Sequence, residues 1–61
     1  MKKARIYIGE DVLNGSLEQF KLYQQDGTTV QVAIGKMAVV PLWVAERAKE
    51  IGDIKDFEIV E

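Results

Sequence analysis

The side chains best suited to chemistry in this sequence are carboxylates: Glu10 beside Asp11, and Asp53 three residues before Asp56. Two carboxylates perform acid–base catalysis when a cleft raises the pKa of one and leaves the other ionised. A chain of 61 residues has little depth for such a cleft, and an enzyme reading would need a deep pocket converging on at least two of these groups. Asp53 and Asp56 could also offer oxygens to a hard cation such as calcium, but their spacing lacks the alternating donors and distal glutamate of an EF-hand loop. Solvated surface is the simpler reading of all four. The expectation is a non-catalytic protein with no catalytic residue, no metal ligand and no cofactor.

Other reactive side chains are missing altogether. The sequence has no cysteine and no histidine, which removes thiol nucleophiles, disulfides, thiolate zinc sites and the commonest general base. Gly9 and Gly15 are too far apart for a dinucleotide fingerprint, and Gly35-Lys36 lacks the preceding glycine of a phosphate-binding loop. Each reads more economically as a turn residue.

What is left is recognition. Trp43 falls within a segment that reads as a helix, nearly opposite the apolar stripe of Val44, Ala48 and Ile51 and flanked by Glu46, Arg47 and Glu50. Tryptophan turned from its own core is either tucked against a loop or stacked under Arg47, or it anchors an interface. With Leu42 at the same end, Leu42, Trp43 and Arg47 form a candidate protein-binding set. A second candidate is a basic and aromatic row, Lys3, Arg5 and Tyr7 alongside Lys21 and Tyr23, which resembles the stacking platforms that hold single-stranded nucleic acid. An ordinary solvated sheet face has the same composition, and the acidic C-terminal residues would repel phosphate.

The elements that must position these residues follow from periodicity. Ala4, Ile6 and Ile8 alternate with Lys3, Arg5 and Tyr7, the two-residue period of a half-buried strand. Gly9 to Ser16 reads as a loop. Glu18 to Gln24 alternates again and, across Asp26-Gly27, faces a strand with Val30, Val32 and Ile34 on one side. A three-residue loop, Gln25-Asp26-Gly27, would pair Leu22 with Val30 and Phe20 with Val32. A two-residue Asp26-Gly27 loop would instead set Tyr23 and Lys21 on the apolar face, so the three-residue loop is expected.

After Gly35-Lys36, residues Met37 to Val40 read as extended and lead into Pro41, a favoured helix-start residue whose predecessor is held extended. The helix is expected from Pro41 to about Ile51, stopping at Gly52, with Val44, Ala45, Ala48 and Ile51 facing the sheet. Phe57 to Val60 completes the set as a last strand. The expected fold is a single small α+β domain over residues 1–61, a mainly antiparallel sheet of three to five strands with the helix of the C-terminal half packed on one face. The alternative is a small SH3-like barrel with one helix.

Size and charge bound the partners. A chain this short buries only about 60% of the surface that its unfolded form exposes, and without disulfide or metal it is expected to gain stability by self-association. Eight basic against ten acidic side chains give a net charge of −2, which disfavours wholesale polyanion binding. Lys2, Lys3 and Arg5 crowd one end, and Glu50, Asp53, Asp56, Glu58 and Glu61 the other. The apolar run Met37 to Val44 is broken by Pro41 and far shorter than the ~20 residues of a membrane span, and the basic start lacks the apolar stretch of a signal peptide. A soluble, cytoplasmic chain with no membrane partner is expected.

From Gly35 onward, GKMAVVPLWVAERAKEIGDIKDFEIVE resembles the C-terminal part of short uncharacterised bacteriophage and prophage proteins, with V-P-x-W-V-A followed by A-x-x-x-G. There a valine-rich strand enters a proline-started helix that ends near a glycine and precedes a short acidic strand. The resemblance implies a small virion-assembly or host-interaction protein, in the host cytoplasm or the virion, and supplies no catalytic residues. The partner is then expected to be a protein or a second copy of the chain, with nucleic acid as the alternative.

Overall fold

A computed structural model describes residues 2–10 and 19–60. Within them the order is β1 (Lys3–Tyr7), β2 (Phe20–Gln25), β3 (Thr28–Ala33), β4 (Met37–Pro41), α1 (Leu42–Glu50) and β5 (Glu58–Val60). The α+β expectation holds: five strands form two antiparallel sheets, β4-β1-β5 and β2-β3, with one helix in the C-terminal half. They do not close into a barrel. Expected features at Asp11 to Glu18 and at Glu61 lie outside the described residues.

β1 is the central strand of its sheet. Its even residues Ala4 and Ile6, and Ile8 just beyond its end, are fully or almost fully buried, and Val44, Ala45 and Ala48 of the helix bury against the same cluster. Val40, Val32, Tyr23 and Ile54 complete it. The turn after β3 returns the chain beside β1, where the Gly35 N–H donates to the Ile8 carbonyl at 2.7 Å. β4 then pairs with β1 from Tyr7–Met37 to Lys3–Pro41. The basic and aromatic row of Lys3, Arg5 and Tyr7 with Lys21 and Tyr23 would require β2 beside β1. Instead β1 has β4 on one side and β5 on the other.

The hairpin corrects the expected register. β2 and β3 are joined by the two-residue loop Asp26-Gly27, with Gln25 opposite Thr28, Tyr23 opposite Val30 and Lys21 opposite Val32. Asp26 and Gly27 both have positive φ, +50° and +78°, the type I′ geometry whose twist matches that of the flanking strands. The pairing therefore turns Tyr23 inward and leaves Phe20 and Leu22 exposed, the reverse of the apolar alternation.

The helix begins after Pro41, which closes β4 and occupies the cap position. Its end is a Schellman motif. The N–H of Gly52 donates to the Lys49 carbonyl at 3.2 Å and that of Asp53 to the Ala48 carbonyl at 2.9 Å. Gly52 takes φ +88°, a left-handed conformation that costs any residue with a Cβ. Because the chain reverses there, Ile51 does not complete the buried stripe and is exposed, while Ile54 enters the core.

Candidate protein-binding face

The outer face of β4-β1-β5 follows from strand alternation. With Ala4 and Ile6 turned inward, Lys3, Arg5 and Tyr7 must point outward, and register places Val39 beside Arg5 and Met37 beside Tyr7 on β4, with Glu58 beside Arg5 on β5. Tyr7, Met37 and Val39 are 52%, 67% and 55% exposed. They form a patch of neighbouring apolar side chains rather than scattered ones. The Arg5 guanidinium donates to Glu58 Oε1 at 3.3 Å beside it.

A groove opens next to this patch because β5 is short. Its ladder with β1 stops at Arg5–Glu58, and the Phe57 N–H donates to the Asp56 carboxylate at 2.8 Å. The preceding residues thus diverge from the second half of β1. The space between is a groove of about 600 Å³, lined among others by Tyr7, Met37, Ile54, Asp56 and Phe57. Lys49 lies over the Phe57 ring, 5.9 Å from its centroid.

Three carboxylates, Asp53, Asp56 and Glu58, line this groove, and each meets a base: Asp53 with Lys21 at 3.4 Å, Asp56 with Lys49 at 3.7 Å, and Glu58 with Arg5. Asp53 also accepts the Tyr23 hydroxyl at 2.7 Å. Burial above all, and then the hydrogen bond and negative charge of Asp53, push the Tyr23 pKa well above its ordinary value. Lys21 lays its stem on the inner face and brings its ammonium to the same carboxylate, which is how a lysine is accommodated there. Among the described residues no cluster of three or more acids suited to a metal ion occurs.

The residues singled out in the sequence are distributed differently from expectation. Lys3, Arg5 and Tyr7 share the outer face of β1, but Lys21 and Tyr23 lie on the inner face of the other sheet, and Tyr23 is core. These five do not form one row. Leu42 and Trp43 are half-buried against the core, whereas Arg47 is exposed. Trp43 borders a shallow polar groove with Gln25, Glu46, Arg47 and Glu50. Sequence pattern does not mark the patch of Tyr7, Met37 and Val39, because Met37 and Val39 belong to a run whose outward residues are as apolar as its inward ones. No helix among the described residues is long and apolar enough to cross a membrane.

No family model, curated protein or solved structure matches the chain.

Proposed function

We propose that this chain is a non-catalytic protein-interaction module that binds through the outer face of β4-β1-β5 and the groove beside it. The observation that carries the reading is the patch of Tyr7, Met37 and Val39, three large apolar side chains more than half exposed on adjacent strands in one register. Tyrosine, methionine and arginine are enriched at interface centres, and an apolar patch rimmed by charge is the usual surface of such a site. Engagement of each groove carboxylate by a base supports the non-catalytic part. The resemblance of the C-terminal half to phage proteins suits a module used in virion assembly or host interaction.

The test is a surface variant. Tyr7→Lys combined with Met37→Lys is expected to weaken association, with itself or with a protein co-purified from its own host, at least tenfold while the unfolding temperature stays within a few degrees. Undiminished association in that variant would overturn the reading.

A further inference from the structure

Resting on that reading of the face, we infer that its partner is a second copy of the chain, related by a two-fold axis that runs between β1 and β5 and parallel to them. Arg5 and Glu58 stand opposite each other on adjacent strands, both side chains are substantially exposed, and they carry opposite signs. A two-fold rotation about a line midway between their strands exchanges their positions. Arg5 of each copy therefore lies over Glu58 of the other, and the contact is self-complementary as an isologous interface requires.

The same operation gives the groove an occupant. Tyr7 is two residues along β1 from Arg5, and rotation places it above the position that β5 would hold if its ladder continued past Glu58. There the ladder has stopped and the groove lies open. Tyr7 of each copy is thus directed at the groove of the other, with Met37 one strand further out. Axes along β1 itself, or across the strands through this row, would stack Arg5 on Arg5. The strands of the two copies stay nearly aligned, the common way that two sheets pack face to face.

Charge reversal distinguishes this arrangement from others. Arg5→Glu puts two acids on the face and Glu58→Arg two bases, so each variant alone should repel its own copy. Mixed in equal amounts they should pair, since both intermolecular contacts then join opposite charges. Light scattering after gel filtration and native mass spectrometry are expected to show a wild-type dimer, single variants at least tenfold weaker, and a mixed-composition dimer on combination. Thermal unfolding of each variant establishes that it folds, as an exposed pair contributes little to the fold itself. A wild-type monomer at several hundred micromolar, or single variants that remain dimeric, would overturn the inference. A dimer lost in Tyr7→Lys with Met37→Lys but not restored by mixing would overturn the two-fold arrangement and leave the binding face standing. A dimer that survives all of these changes would remove both.

Discussion

Tyr23 and Asp53, thirty residues apart in sequence, are joined by a hydrogen bond of 2.7 Å from phenol to carboxylate. The carboxylate follows directly on the helix cap at Gly52, and the phenol reaches it from the inner face of β2. Through this contact the hairpin is held to the end of α1, and Lys21 adds its ammonium to the same oxygen.

Removing either end should cost stability in a coupled way. Tyr23→Phe and Asp53→Ala are each expected to lower unfolding free energy by about 1.5–3 kcal/mol, the range for a hydrogen bond to a charged group. The double variant should lose less than the two added together, by at least ~0.5 kcal/mol. Denaturant unfolding of the four proteins measures this, and strict additivity would mean that the contact does not form in solution.

The same contact gives an alkaline signature. The Tyr23 pKa is raised on folding, so the stabilisation is fully present below the ordinary tyrosine value of 10.0 and is lost progressively as pH climbs above it toward the folded value. Wild type should therefore lose stability between pH 10 and 11.5 more steeply than Tyr23→Phe, which has no phenol to ionise. Parallel curves for the two proteins would contradict the burial of Tyr23.

Gly52→Ala tests the helix end. A Cβ at Gly52 meets nothing within 4 Å, so the penalty comes from φ +88° alone, roughly 1 kcal/mol. A neutral or stabilising result in thermal unfolding would show that the helix does not end in this cap.

Trp43→Ala separates packing from recognition. Because the indole is half-buried against the core, its truncation is expected to cost about 3 kcal/mol of stability, at the lower end of the range for a buried tryptophan. Solution mass, compared under conditions in which the variant is still folded, should be unchanged. Loss of association with unfolding unaffected would instead return the binding surface to Leu42, Trp43 and Arg47.

Local pattern made much of the fold legible. Alternation in Lys3 to Ile8 identified both the strand and its buried side, and the Pro41 and Gly52 signals bounded the helix to within a residue at its start and placed its stop. These are consequences of chain geometry, which repeats every two residues in a strand and every 3.6 in a helix whatever lies around it.

Elsewhere the decision was tertiary. In β2, alternation favoured Phe20 and Leu22 as the inward pair, yet Asp26 and Gly27 adopt the tight turn that fixes the opposite register, and Asp53, distant in sequence, supplies the carboxylate that makes Lys21 and Tyr23 acceptable inside. Nothing within Glu18 to Gln24 announces Asp53. The outer patch has the same origin, because Met37 and Val39 are as apolar as the buried Val40, and only pairing with β1 determines which residues of the run face the core. Composition alone set the absence of cysteine and histidine chemistry. The place where recognition is proposed depended on which strand became the neighbour of β1, a long-range choice settled by burial and hydrogen bonding over the whole chain rather than by any segment's own preference.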